Sequence, residues 1–215
     1  MKNSNGEVED LIEKLKKKEI TSKEIIKTLN ERNLSEKAIF KGAGWGYLIW
    51  IVLCFLPALA KYTNWEYISF LNKIPSFEIP NILIYISIAF FISAIILTAW
   101  STYYNIKKGG VSSEDYTLIL FKSGPYKLLR HPSHFAWSVF FTTIPIMLGK
   151  WVPFTVLSII GIIAMISLHY FGSIIEERRL NIKKWGDRYK QYMKEVPRWN
   201  IILGLVRLGR INSHT

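Results

Sequence analysis

Two short polar segments contain the side chains of this sequence that are best suited to chemistry. The first covers residues 123–134 and includes Arg130 followed directly by His131. The second begins with the adjacent carboxylates Glu176 and Glu177. An imidazole transfers protons near neutral pH, a guanidinium holds an anion, and a carboxylate holds a cation. These residue types predict a site that binds a charged ligand and handles a proton.

Two prolines set the expected local structure of the first segment. Gly124 and Pro125 predict a turn, and Pro132 predicts the first turn of a new helix because its fixed φ suits that position. Arg130 and His131 then lie at a helix N-terminus, where backbone N–H groups and the positive end of the helix dipole favour an anion. We therefore expect an anionic group here, such as a ligand carboxylate.

The elements that must position these segments are apolar. Four stretches of 19, 28, 19 and 25 residues contain no charged side chain: 42–60, 79–106, 131–149 and 151–175. A helix needs about 20 apolar residues to cross the hydrocarbon core. The composition excludes an ordinary soluble enzyme, a disordered protein and a secreted disulfide scaffold, and the single Cys54 forms no intrachain disulfide. We predict an all-α polytopic membrane protein with about four transmembrane helices.

The basic residues predict how these helices cross the membrane. Lys and Arg number ten in residues 1–41, two in 61–80, five in 101–130, one between the last two stretches and ten in 176–215. Because basic residues collect on the cytoplasmic side, this alternation predicts an integral protein of the cell membrane with both termini in the cytoplasm. It also explains the net charge of +12 without nucleic-acid binding. Only Lys150 separates the third and fourth stretches, so we predict a tight helical hairpin.

Two cytoplasmic helical regions flank the predicted spans. Residues 1–41 form a predicted helical extension with two short helices, the second introduced by a capping box of Thr21 and Glu24. We expect this extension to be a packing or dimerisation element, with a protein partner as a further possibility. A C-terminal amphipathic helix is predicted from Ile182 to Lys194. Residues 42–215 make up the predicted transmembrane domain.

A tight hairpin brings its two ends together, which places Glu176 beside Arg130 and His131. Each feature also has a purely structural interpretation. Arg130 can simply mark the cytoplasmic border, and the charged turn after Glu176 can be a solvated helix end. His131 and His134 have a spacing open to metal ligation, but with four histidines in the chain we predict no metal site.

The order of these motifs resembles a known superfamily. Residues 124–133 read Gly-Pro-Tyr-x-x-x-Arg-His-Pro-Ser, and residues 176–198 contain Glu-Glu-x-x-Leu, Trp-Gly-x-x-Tyr-x-x-Tyr and Val-Pro-Arg. Together they resemble the isoprenylcysteine carboxyl methyltransferase and phospholipid methyltransferase superfamily. Its members are integral membrane enzymes that use S-adenosylmethionine. The resemblance covers residues 118–198 and leaves out the N-terminal helices and the first span.

The resemblance implies a cofactor pocket for S-adenosylmethionine and a set of residues that form it. We predict His131 and Arg130 as catalytic residues, with the general base left open between His131 and His134. Within the resemblance, Arg130, Glu177 and Arg198 match family positions without a defined role. The cofactor-binding residues that it implies are Leu118, Ile119, Leu120, Phe121, Tyr126, His131, Pro132, Ser133, His134, Glu176 and Glu177.

Two departures from the family pattern affect the expected cofactor pocket and the expected substrate. His134 stands in place of the usual tyrosine, which alters the edge of the implied pocket. Gly172 stands where the prenylcysteine enzymes have an arginine one helical turn before the first glutamate, which argues against a prenylcysteine-type substrate.

The resemblance implies a membrane methyltransferase whose acceptor is a small lipophilic or lipid-like molecule that presents a carboxyl, thiol or amine. Membrane lipids are the expected surroundings. Two alternatives stay open: a membrane reductase of the sterol-reductase type that uses NADPH, and a non-catalytic scaffold or adaptor. The sequence has no glycine-rich dinucleotide fingerprint for NADPH.

Overall fold

The computed structural model describes residues 10–11, 13–14, 17, 19–34, 43–63, 65–108 and 119–212. This part of the chain is mostly helical. The helices in chain order are α1 (Ser22–Glu31), α2 (Ala43–Tyr62), α3 (Asn81–Lys107), α4 (Pro125–Leu128), α5 (Pro132–Met147), α6 (Val156–Glu176), α7 (Ile182–Glu195) and α8 (Ile201–Asn212). A 3₁₀-helix covers Glu66–Lys73, and a π-helical turn covers Glu177–Asn181. Strand β1 (Ser76–Phe77) pairs antiparallel with β2 (Phe154–Thr155).

Three helices in the described part are long and apolar enough to cross a membrane. They are residues Gly44–Tyr62 of α2, all of α3, and the continuous helix Val156–Glu195 that α6, the π turn and α7 form together. These helices indicate a membrane protein. The third predicted stretch forms α5, whose 16 residues extend about 24 Å and fall short of a hydrocarbon core of about 30 Å.

The exposed surface of α3 is apolar, which suits contact with lipid better than contact with water. Ile82, Tyr85, Phe90 and Ile96 are exposed to 62%, 66%, 57% and 61% although all four are large and apolar. A contiguous apolar surface of this kind is unfavourable in water. In a bilayer it meets lipid tails, and the helix satisfies its own backbone hydrogen bonds.

The chain forms two compact units that are not continuous in sequence. The first unit draws on Met1–Lys41, Ala99–Ser133 and Gly172–Thr215, and the second on Gly42–Thr98 and His134–Phe171. The predicted division into residues 1–41 and 42–215 stays a prediction. Each unit has its own hydrophobic cluster.

Aromatic side chains hold the second unit together. Trp50, Cys54 and Met165 are its buried centre. The ring of Trp50 meets the ring of Phe141 edge-on at 4.9 Å. Phe141 also lies nearly parallel to the His169 ring at 6.0 Å, which packs α5 against α6 within this unit.

The first unit is built around the contact between α1 and α7. Ile25 and Leu29 of α1 are buried together with Trp185 and Tyr189 of α7. The capping box predicted at the start of α1 is confirmed, with the Thr21 N–H donating to the Glu24 carboxylate at 3.1 Å. The earlier helix of the predicted N-terminal pair lies mostly outside the described residues. The apolar stripe of α1 therefore has a specific packing partner in α7.

Truncation of Leu29 tests this packing. Leu29 is 2% exposed, so Leu29→Ala should leave a cavity that lowers the free energy of unfolding by about 2–5 kcal/mol. Lys27→Ala on the exposed side of α1 is the control and should change it by less than about 0.5 kcal/mol. Thermal unfolding in detergent, followed by tryptophan fluorescence, measures both. Equal melting temperatures for the two variants would contradict the packing.

Candidate functional site

Glu177 is the centre of a buried ionic cluster in the first unit. It is 1% exposed. Arg130 Nε donates to Glu177 Oε1 at 2.9 Å, and Arg198 Nε donates to Oε2 at 3.1 Å. His131 Nε2 lies 3.2 Å from Oε1. Three basic side chains thus surround one carboxylate, and both of its oxygens accept charge-assisted hydrogen bonds.

His131 lies between two carboxylates. Its Nε2 faces Glu177, and its Nδ1 lies 3.5 Å from Glu176 Oε2. The residue precedes α5 and is outside the three candidate spans. Burial alone would lower the pKa of the imidazole, but Glu176 and Glu177 outweigh it and raise the pKa of His131 from 6.5 to about 9. The ring is therefore a cation at neutral pH and donates from both nitrogens.

The π turn shapes the other side of the cluster. The backbone N–H of Ile182 donates to the Glu177 carbonyl, an i→i+5 bond that aligns side chains five residues apart. Asn181 Nδ2 consequently donates to Glu176 Oε1 at 3.1 Å. The same amide donates to the Tyr189 hydroxyl at 3.1 Å. Turns of this kind occur frequently at functional sites.

Arg130 also fixes the segment that follows α7. Its Nη1 donates to the carbonyl of Met193 at 2.6 Å and to the carbonyl of Val196 at 3.1 Å. Its backbone N–H donates to the Pro197 carbonyl at 3.0 Å. The guanidinium thus joins the Glu177 carboxylate to the C-terminal end of α7, where unpaired carbonyls favour a cation.

An apolar strip before α4, in the same unit, contains three of the predicted cofactor-binding residues, Ile119, Leu120 and Phe121. Ile119 and Leu120 pack against the α1–α7 core. The ring of Phe121 meets that of Tyr104 edge-on at 5.6 Å and lies 6.0 Å from that of Tyr126. These rings form an aromatic corner at the end of α3.

Polar contacts fix Tyr126 in this corner. Asn105 Nδ2 donates to the Tyr126 hydroxyl, and the Tyr192 hydroxyl of α7 donates to the Tyr126 carbonyl. Asn105 is 7% exposed, and its Oδ1 has no hydrogen-bond partner among the described residues. A buried oxygen without a hydrogen-bond donor is suited to accept a hydrogen bond from a bound ligand.

The turn predicted at Gly124 is present, and it requires glycine. Gly124 has φ 62° and ψ −136°, and α4 begins at Pro125. A Cβ at this position would lie 2.6 Å from a ring carbon of Tyr104. Both the backbone conformation and the close aromatic ring exclude a side chain.

The structure brings most of the predicted site residues into the first unit. Arg130, His131, Glu176 and Glu177 are in the ionic cluster, and Pro132 and Ser133 begin α5. His134 belongs to the second unit, where its ring meets that of His169 edge-on at 5.8 Å. Leu118 lies outside the described residues. The catalytic and cofactor-binding roles of these residues stay predictions.

Sequence reasoning left Asn105, Asn181 and Tyr189 out of the site and gave Arg198 no role. One signal was available for two of them. Asn181, Trp185 and Tyr189 follow one another at intervals of four residues, so an asparagine begins an otherwise aromatic helical stripe. A buried asparagine on such a stripe needs partners, which here are Glu176 and Tyr189. Nothing in the local sequence marks Asn105.

Comparisons with family models, with curated proteins and with solved structures find no match to this chain. Its function is therefore inferred from its own side chains and from the motif resemblance.

Removal of the charge on Glu177 tests the ionic cluster. Glu177→Gln leaves the buried Arg130 guanidinium and the partly buried Arg198 without their carboxylate, so it should lower the free energy of unfolding by about 3–5 kcal/mol. Glu195→Gln is the matched control, because Glu195 pairs with Lys122 at 3.4 Å on the surface. The control should cost less than about 1 kcal/mol. Thermal unfolding in detergent measures both, and a Glu177 variant as stable as the control would refute the cluster's role.

The stability of the protein should depend on pH through His131. Because the pKa of His131 is about 9 in the folded state against 6.5 in the unfolded chain, its stabilisation is complete below about pH 6.5. It is lost as the pH rises to about 9. The melting temperature of the wild type should therefore fall across this window, and His131→Gln should flatten the profile. Parallel profiles for wild type and His131→Gln would exclude the proposed cation.

Proposed function

We propose that this chain is a membrane-embedded methyltransferase that uses S-adenosylmethionine and methylates a lipophilic or lipid-like acceptor. One observation carries the proposal. The His131 ring contacts Glu176 and Glu177, and Glu177 lies 46 residues further along the chain. The two motif segments that separately resemble the superfamily are therefore neighbours within one unit.

The donors and acceptors of the first unit suit this cofactor. Glu176 offers a carboxylate for the cofactor's amino group, and Asn105 Oδ1 offers a buried acceptor. Arg130, Arg198 and the His131 cation outnumber Glu176 and Glu177 by one charge, which favours the cofactor's carboxylate. The aromatic corner and the strip of Ile119 and Leu120 provide apolar area for its adenine. When bound, S-adenosylmethionine supplies a methyl group on a cationic sulfur.

His131 and Arg130, the two predicted catalytic residues, act in this proposal as positioning residues. His131 is already protonated, so it donates to both carboxylates and keeps Glu176 oriented. Arg130 keeps Glu177 in place and holds the Met193 and Val196 carbonyls at the end of α7. A rigid site contributes to methyl transfer mainly by alignment of the reacting atoms. The acceptor atom's own lone pair would form the bond to the methyl group as the methyl–sulfur bond breaks, and a base outside this cluster would take the acceptor's proton.

The proposal includes four crossings, with both termini in the cytoplasm. After α5, the N–H groups of Leu148 and Gly149 bond to carbonyls of α5, and those of Trp151 and Val152 bond to the Leu148 carbonyl. Helical turns thus lengthen α5 towards the span that a bilayer requires. The distribution of basic residues supports the orientation. A lipid-like acceptor then enters from the bilayer.

A non-catalytic scaffold is the second candidate, and the ionic cluster itself favours it. Both Glu177 oxygens are already paired with arginines, Oε1 with Arg130 and Oε2 with Arg198, so this part of the cluster can act as a structural element without a ligand. In that case the N-terminal helices would recruit a protein partner.

Titration of S-adenosylhomocysteine into the detergent-purified protein tests the proposal. Calorimetry should show saturable binding, and Glu176→Gln should weaken it about tenfold or more, because a hydrogen bond to a charged group contributes about 1.5–3 kcal/mol. Asp187→Asn is the matched control, because it also removes one carboxylate charge but the Asp187 side chain is 93% exposed to solvent. This control should bind as the wild type does.

Each other outcome has a defined meaning. Wild-type affinity in Glu176→Gln would remove Glu176 from the cofactor site. A folded, monodisperse wild type that does not bind S-adenosylhomocysteine would overturn the methyltransferase proposal. A parallel titration with NADPH then tests the reductase alternative, and partner capture with and without residues 1–34 tests the scaffold.

A further inference from the structure

The last helix, α8, has an apolar face that is exposed in the structure. Ile202, Leu205 and Val206 are exposed to 72%, 57% and 48%. Their spacing of three and four residues places them on one side of the helix. Leu203, exposed to 38%, lies at the edge of the same face.

The opposite side of α8 is packed, so the direction of the apolar face is fixed. Gly204 is buried against α4, and a Cβ there would lie 2.2 Å from the carbonyl oxygen of Leu128. Only a glycine permits this approach of the two backbones. The exposed residues are therefore held outward by the packing of α8.

Length and charge indicate what covers this face. Twelve residues extend about 18 Å, which is too short to cross a hydrocarbon core of about 30 Å. The α8 sequence from Ile201 to Asn212 has two arginines, Arg207 and Arg210, and no acidic residue. We propose that α8 is an interfacial helix that inserts its apolar face into a membrane leaflet that contains anionic lipids.

The end of α7 connects α8 to the ionic cluster, so membrane binding by α8 would affect the segment that the cluster also holds. Arg207 Nη1 donates to the carbonyls of Lys194 and Glu195 at 3.0 Å and 2.8 Å. Arg130 holds the neighbouring carbonyls of Met193 and Val196. The end of α7 is thus held from α8 on one side and from the Glu177 cluster on the other. The inference goes beyond the proposed activity and does not depend on it.

Site-directed spin labelling of the full chain in lipid nanodiscs tests the inference. In a Cys54→Ala background, Leu205→Cys carries the label, and Ile202→Cys provides a second, independent position. Lys190→Cys is the control because the Lys190 side chain is 59% exposed. One set of discs contains phosphatidylcholine alone, and the other contains equal parts of phosphatidylcholine and phosphatidylglycerol. Accessibility to oxygen and to a water-soluble nickel chelate reports the depth of each label.

We expect the labels at 202 and 205 to lose access to nickel in the anionic discs, at a depth of roughly 5–10 Å, and to regain part of it in neutral discs. The label at 190 should stay in water in both. In the anionic discs, hydrogen exchange of residues 193–197 should also slow. Nickel access at 202 and 205 in both discs would overturn the proposal. Equal depth in both discs would remove the role of anionic lipid, and dipolar coupling between labels would identify a second copy as the occupant. The labelling experiment is done without S-adenosylmethionine or S-adenosylhomocysteine, so its outcome is independent of the methyltransferase test.

Discussion

A carboxylate removed from water must find cations, and the first unit of this protein is arranged around that requirement at Glu177. Arg130 and His131 reach it from the segment before α5, and Arg198 reaches it from the segment after α7. A single buried charge thus holds together parts of the chain that are remote in sequence. The desolvation penalty of each partner is offset only while all of them stay in place, which makes the cluster cooperative.

The position of Glu177 also marks a change in the character of one long helix. Before it, α6 has no charged residue until Glu176, and after it α7 is amphipathic and carries four lysines and one arginine. The π turn lies between them, and its extra residue brings Asn181 to Glu176. The transition from membrane span to polar helix and the polar site therefore coincide, because the first charged residues after the span are those that the cluster neutralises.

Tyr189 connects the ionic cluster to the hydrophobic core of the first unit. Its ring packs with Trp185 and with the α1 side chains, while its hydroxyl lies 3.4 Å from His131 Nε2 and accepts from Asn181. A side chain with an apolar body and a polar tip can satisfy both environments. As a result, α1 supports the helix that carries the site, although the resemblance to the methyltransferase superfamily includes no part of α1.

The sequence alone determined the features that depend on a few neighbouring residues or on length. Uncharged stretches predicted the apolar helices, Pro132 predicted the start of α5, and the spacing from Ile182 predicted α7. Only the tertiary structure decided which cations meet Glu177, that α1 packs on α7, that α8 rests on α4 through Gly204, and that β1 pairs with β2. Local periodicity and proline geometry act within one or two helical turns. The choice of partners 46 residues apart depends instead on how helices pack and on where buried charges can be neutralised.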